Sequence, residues 1–334
     1  MILLLLLQVI PGAAWEERTP EAAGLSRKKL DALRDLVGGR GCVVKGGTLV
    51  TSWGDLTKSA DVASAVKPVI STLLLLAVQE GRLESVDAAV SRVEPRLTGK
   101  NEGITWRQLA SQTSGYGLAE PPGAAYSYND YAIALYFDSL MTGVFRRPGT
   151  EVVRSRLGDV LGFQDPVSFE AFGPTDRPGR LAISVRDFAR FGLLVLRGGK
   201  WGDRQVVDPG LMYLSISAPI PRETPRTSGK EAEMIPGQRT LGGTRNITPA
   251  GPGLYSFNWW LNGTDDQGRQ LFVDGPGDLV AALGHGGKRA LLLFPSLDLV
   301  VSWNDSSIDD HDRSPGNPGS RLNQAVRLLV EASR

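Results

Sequence analysis

The sequence predicts a split α/β fold: an antiparallel sheet flanked by helices and assembled from both ends of the chain, plus an all-α insertion. Three observations carry this reading. Strand-like alternation is confined to residues 42–53 near one end and 255–303 near the other, with helical periodicity between them. A strongly apolar run over 68–78 has the spacing of a buried helix and stops at Gly81. The 334 residues are long for one compact core and suit two lobes that share a cleft. The sheet lobe is placed at 15–60 and 205–334, and the helical lobe at 61–204.

Taken in order, residues 25–37 repeat apolar side chains at Leu30, Leu33 and Leu36 behind Ser26, an N-cap type, and the helix stops at Gly38-Gly39. Two strands, 42–45 and 48–53, meet at Gly46-Gly47, a hairpin signal. Residues 106–112 form a short helix and 131–140 a second one, separated by a turn at 113–117 and a loop opened by Pro121-Pro122-Gly123. Residues 184–196 are amphipathic, with Phe188, Phe191 and Leu194 opposed to Arg186, Asp187 and Arg190. The stretch 219–253 is rich in Pro, Gly and Thr and is long for a plain connection, so it is expected to border or cover a site. Strands follow at 255–261, 270–273, 279–283, 290–294 and 299–303, and a helix over 321–332 packs back through Leu322, Val326 and Leu329.

Composition narrows the function classes. A net charge of +1 provides no electrostatic footprint for nucleic acid or an anionic membrane surface. The single cysteine, Cys42, excludes an internal disulfide, and its apolar setting marks a buried strand residue. The two histidines, His285 and His311, form no metal cage with it, so no metal or cofactor is expected. The apolar start, followed by Pro11-Gly12-Ala13-Ala14, is too short to span a bilayer and is read over 1–14 as a signal segment cut before Trp15. The protein is therefore expected to be exported, periplasmic or extracellular, with no stable membrane span thereafter.

The chemistry is read from Ser64-Ala65-Val66-Lys67, at the mouth of the apolar helix. A serine hydroxyl attacks poorly until a neighbouring base takes its proton. Lysine three residues on lies over the same helical face, and it serves as that base when its surroundings lower its pKa. Alone, the tetrad is more often an N-cap before a helix than a catalytic pair. Its company changes that: Tyr128-Asn129-Asp130 and His285-Gly286-Gly287 follow in the same chain.

These three stretches, in this order, resemble the β-lactamase and penicillin-binding-protein family of serine hydrolases, in particular its class C, D-aminopeptidase and β-lactamase-like esterase branch. Supporting stretches are 109–115, 179–190 and 283–287, and the resemblance runs over most of 15–334. It implies a DD-peptidase/β-lactamase-like fold and an acyl-enzyme on Ser64, with Lys67 and Tyr128 sharing the proton work. It further implies an oxyanion hole from the backbone N–H groups of Ser64 and Lys288, beside a strand edge kept bare by Gly286 and Gly287. Two positions depart from the family pattern. Asp130 stands where most relatives carry Asn and is expected to hold Lys67 by charge. His285 replaces the lysine of Lys-Thr-Gly, which weakens the positive charge for a β-lactam carboxylate. Both tilt the expectation towards an esterase or amidase acting on a small-molecule ester, amide or peptide-like substrate. The rivals are a true β-lactamase or D,D-carboxypeptidase and a non-catalytic ligand-binding relative.

Overall fold

A computed structural model of the chain describes residues 9–171, 178–236, 248–308 and 314–334. Helix α1 (Arg27–Val37) buries Leu30, Leu33 and Val37 on one face, with Ser26 at its N-cap position. The hairpin β1 (Arg40–Lys45) and β2 (Thr48–Trp53) turns at Gly46 and Gly47, both at positive φ, as a tight reversal between two strands requires. A short strand, β3 (Ala60–Asp61), leads through a 3-10 turn at Ala63–Val66 into α2 (Lys67–Gln79). Then come α3 (Trp106–Ala110), α4 (Asp130–Asp138), a π-helical turn at Ser139–Phe145, α5 (Gly149–Val153) and α6 (Asp159–Leu161).

Strands β4 (Ser168–Ala171) and β5 (Pro178–Ile183) precede α7 (Val185–Leu196), which Ser184 caps by accepting the Asp187 N–H at 3.3 Å. A two-residue ribbon, β6 (Lys200–Trp201) and β7 (Arg204–Gln205), and α8 (Pro209–Ser217) follow. The second half of the main sheet is β8 (Tyr255–Ser256), β9 (Trp259–Leu261), β10 (Val280–Gly284), β11 (Arg289–Phe294) and β12 (Leu299–Asn304), before the final helix α9 (Arg321–Ala332).

The seven-stranded sheet runs β2-β1-β12-β11-β10-β9-β8 and is antiparallel throughout, so the two ends of the chain meet where Val43 pairs with Val301. Side chains alternate between two cores. Val43, Leu292 and Val301 face α1 and α9, whereas Val44, Leu291, Leu293 and Val300 face α2 and α7. Because both faces are covered, these strands read as nearly continuous apolar runs. Cys42 lies in the second core, where burial pushes its thiol up to about 12 and leaves it an inert packing residue.

Three details differ from the sequence expectation. The single strand expected at 255–261 is a hairpin, β8 and β9, folded at Phe257 and Asn258, both with positive φ. The strand expected at 270–273 does not form. Two asparagines take its backbone groups instead: Asn262 bonds both the N–H (2.8 Å) and the carbonyl (2.9 Å) of Phe272, and Asn323 accepts the Val273 N–H at 2.9 Å. The stretch between the two halves of the main sheet also contributes a small antiparallel sheet, β3-β5-β4, which no hydropathy alternation announces. Among the described residues no helix is long and apolar enough to cross a membrane. Within the segment read as a signal, residues 1–8 lie outside the described residues, while the Gly12 carbonyl accepts a bond from buried Arg190 at 2.9 Å.

Candidate active site

Ser64 lies inside the 3-10 turn that opens α2, and Lys67 is the first residue of that helix. The three-residue spacing closes as the helical geometry requires: Lys67 Nζ donates to Ser64 Oγ at 2.9 Å. The lysine side chain is 5% exposed, and its Nζ stands 3.2 Å from Asp130 Oδ1 and 4.6 Å from the Tyr128 ring centre. The structure therefore brings Ser64, Lys67, Tyr128 and Asp130 into one cluster from two separate segments.

Asn129, given no role of its own in the sequence reading, holds that second segment in place. It is the N-cap of α4: its Oδ1 accepts the Ala132 N–H at 3.0 Å, and its Nδ2 donates to the Tyr116 carbonyl at 2.7 Å. Its own N–H donates to Gln112 Oε1 at 2.8 Å, and Ser127 N–H donates to the Gln112 carbonyl at 2.9 Å. With Asn129 so pinned, Tyr128 and Asp130 project from either side of a fixed point. The Tyr128 ring stacks on Trp260 (6.0 Å, 15°) and meets the edge of Tyr255 (6.2 Å, 77°), so Trp260 forms a wall of the site. Trp259 points the other way, stacked on Phe191 in the core.

Burial works against a charge on Lys67. The Asp130 carboxylate and the hydrogen-bonded Tyr128 side chain outweigh it and hold the amine above the usual lysine range. The resting group is an ammonium. A lysine acting as base needs the opposite shift, so in this arrangement the amine gives up its proton only as pH rises.

The glycine-rich motif forms the tip of the β10–β11 hairpin. Gly284, at the end of β10, runs against the Ser64 turn so closely that a Cβ there would lie 2.2 Å from the Val62 carbonyl oxygen and 3.3 Å from the Ala65 nitrogen. His285 follows in a left-handed conformation and is exposed. Its Nδ1 lies 3.3 Å from Arg289 Nη1, and since a guanidinium only donates, Nδ1 is the acceptor and the ring proton sits on Nε2. Arg289 Nε also donates to the Asp61 carbonyl at 3.2 Å, and Asp61 Oδ1 accepts the Ala63 N–H at 2.8 Å. Asp61 further pairs with Arg180, whose guanidinium is held below its ordinary value by burial and by the nearby Arg289.

A positive charge thus stands beside His285 although the family's lysine is absent. Gly286 and Gly287 both take positive φ at the tip. Of the two N–H groups expected to form an oxyanion hole, that of Lys288 is engaged within the turn, donating to the His285 carbonyl at 3.2 Å.

A family model described as Beta-lactamase matches residues 27–303, a span that takes in every residue of this cluster. The chain belongs to the beta-lactamase family. No curated protein sequence matches it. Among solved structures, the beta-lactamase-family fold is shared with a putative beta-lactamase from Bacteroides dorei DSM 17855, at a TM-score of 0.65 and 17% identity over 92% of this chain and 99% of that one. A putative 6-aminohexanoate-dimer hydrolase from Bacillus anthracis matches at 0.62 and 15% identity, over 91% and 81%. EstCE1, a hydrolase with promiscuous acyltransferase activity, matches at 0.61 and 12%, over 92% and 99%. At such identities these likenesses show the fold. Membership of the beta-lactamase family places the chain among serine hydrolases.

Part of the stretch expected to border the site packs onto Glu120. Its carboxylate accepts from Ser228 N–H (2.7 Å), Ser228 Oγ (2.7 Å) and Thr227 Oγ1 (3.0 Å). Residues 237–247 of that stretch lie outside the described residues.

Proposed function

We propose that this protein cleaves a carboxylic ester or amide through an acyl intermediate on Ser64. The observation that carries the reading is the 2.9 Å bond from Lys67 Nζ to Ser64 Oγ, with Asp130 and the Tyr128 ring gathered on the same amine. In the attack, Ser64 Oγ bonds to the acyl carbon and its proton passes to the Lys67 amine in its neutral form. Tyr128, within reach of that amine, gives its phenolic proton to the departing oxygen or nitrogen as the bond to the leaving group breaks and is reprotonated by the Lys67 ammonium, which leaves the amine neutral again. Water then repeats the sequence on the acyl-enzyme and frees Ser64. The oxyanion would be met by Ser64 N–H and by Lys288 N–H, the latter exchanging the His285 carbonyl for the substrate oxygen. The titles of two structural relatives, a dimer hydrolase and a hydrolase with acyltransferase activity, agree with ester and amide chemistry on this fold.

The test is intact-protein mass spectrometry after exposure to a fluorophosphonate. A single adduct on wild type and none on Ser64→Ala is expected. An unmodified wild type would favour a non-catalytic ligand-binding protein. The guanidinium of Arg289 beside His285 supports a second reading, in which carboxylate-bearing substrates such as β-lactams or cell-wall peptides are also turned over. A chromogenic cephalosporin assayed beside a short-chain p-nitrophenyl ester separates the two.

Asp130 gives this reading a pH signature. Its carboxylate raises the Lys67 pKa, so Asp130→Asn lowers it and enlarges the neutral-amine fraction at any given pH. The limb of kcat/KM that rises with pH is therefore expected to move to lower pH in Asp130→Asn. A limb that stays put would show that Asp130 does not govern the charge on Lys67.

A further inference from the structure

The β8–β9 hairpin reverses through Phe257 (φ 42°) and Asn258 (φ 69°). A two-residue hairpin of this kind, with positive φ at both central positions, is ordinarily built from Asn-Gly, Asp-Gly or Gly-Gly. A phenylalanine there is an outlier, and such strain persists only where the surroundings over-determine it. What holds this turn is the Asn258 side chain, which points inward rather than to solvent. Its Oδ1 accepts the Tyr255 hydroxyl at 3.0 Å, and its Nδ2 donates to Ser71 Oγ at 2.8 Å. Ser71 Oγ also accepts the Tyr136 hydroxyl at 3.4 Å. All four side chains are buried.

This network joins the elements that make up the proton-transfer cluster. Ser71 lies on α2 four residues beyond Lys67, on the same face of that helix. Tyr136 lies on α4, the helix that starts with Asp130. Tyr255 and Trp260 pair across the hairpin, pack against each other (4.7 Å, 72°) and enclose the Tyr128 ring by edge and by face. Ser71, on the helix that carries the amine, stands at one end of the network and Tyr255, in the aromatic wall of the phenol, at the other, with Asn258 between them.

We propose that Asn258 is a positioning residue that sets where the Tyr128 phenol stands relative to the Lys67 amine, an inference that rests on the hydrolase reading above. It touches neither group and acts through Ser71 on one side and through Tyr255 and Trp260 on the other. Proton transfer between amine and phenol depends on a short, aligned path, and a displacement near 1 Å is enough to cost about 10²-fold.

The test uses Asn258→Gly, which keeps the left-handed turn while deleting both bonds, and Ser71→Ala, which leaves the hairpin intact and removes the acceptor. Each is expected to lower kcat by about 10- to 100-fold with KM changed less than about threefold, because the path is disturbed and the substrate surface is not. The double variant is expected to be no worse than the weaker single, as two ends of one bond behave. A readout independent of turnover accompanies this: ionisation of Tyr128, followed as the near-ultraviolet difference between each protein and its Tyr128→Phe counterpart. A displaced midpoint in both variants is expected. An unmoved midpoint together with an unchanged kcat, or losses in the two variants that simply add, would overturn the proposal. Absence of fluorophosphonate labelling in wild type would sink the hydrolase reading instead, and the tyrosine titration would still decide whether Asn258 positions Tyr128.

Discussion

Lys67→Met is expected to reduce kcat/KM for a p-nitrophenyl ester by about 10³-fold, within the 10²–10⁴ that a positioned proton-transfer group contributes. Methionine keeps the length and most of the shape of the side chain, so the loss reports on the amine. Nζ is the atom that bonds Ser64 Oγ and also reaches Asp130 and Tyr128, so its loss removes the centre of the cluster. Folding stability is expected to respond differently. Lys67 lies in the core-facing first turn of α2, where an ammonium costs desolvation that a thioether does not. Asp130, 27% exposed, keeps access to water when its partner goes. Near neutral pH the melting temperature should therefore change little while the rate collapses.

The charge also sets the sign of the pH dependence. A folded-state pKa above the usual 10.5 means that the ammonium contributes stability fully present below that value and lost as pH climbs through the higher folded one. A stability advantage of wild type over Lys67→Met, where there is one, should accordingly fade only in strong alkali. Thermal melts and ester kinetics on the same preparations check both halves. A large drop in melting temperature with proportionate loss of activity would mean that Lys67 is structural.

How much of this was legible in the sequence differs from one part of the site to the next. Ser64 and Lys67 were readable because three residues on a helix is a fixed geometry, and the apolar run behind them announced that helix. Tyr128 and Asp130 were readable only through family resemblance, since nothing local says that a loop tyrosine more than sixty positions away returns to a helix N-terminus. Asn129 carried a local signal, an N-cap residue type before the apolar repeat of α4, which the interest in its two neighbours obscured. Arg289 was hidden by convention. A motif search stops at His285-Gly286-Gly287, while a hairpin places the residue after its tip back beside the residue before it. The strand expected at 270–273 failed for a different reason. Asn262 and Asn323 satisfied its backbone groups, and distant side chains leave no trace in local alternation.

Gly284 is the residue whose importance depends most on tertiary contact, and its substitution is expected to have the second large effect. Its φ of −116° is open to any residue, so the demand for glycine is steric alone. A Cβ added there would fall 2.2 Å from the Val62 carbonyl oxygen and 3.3 Å from the Ala65 nitrogen, which are backbone atoms on either side of Ser64 and cannot swing aside as a side chain would. In Gly284→Ala either the β10–β11 hairpin or the Ser64 turn must move by about an ångström, a displacement that costs about 10²-fold where reacting groups are involved. Overpacking of this kind also costs about 1–3 kcal/mol of stability, which lowers the melting temperature by a few degrees in a chain this long. Gly277→Ala is the matched control, since a Cβ there meets nothing within 4 Å and its φ is not positive. It should leave rate and melting temperature as they are. If Gly284→Ala proved as innocuous as Gly277→Ala, the hairpin could not be standing against the Ser64 turn, and the strand edge along which a substrate would lie would have to be sought elsewhere.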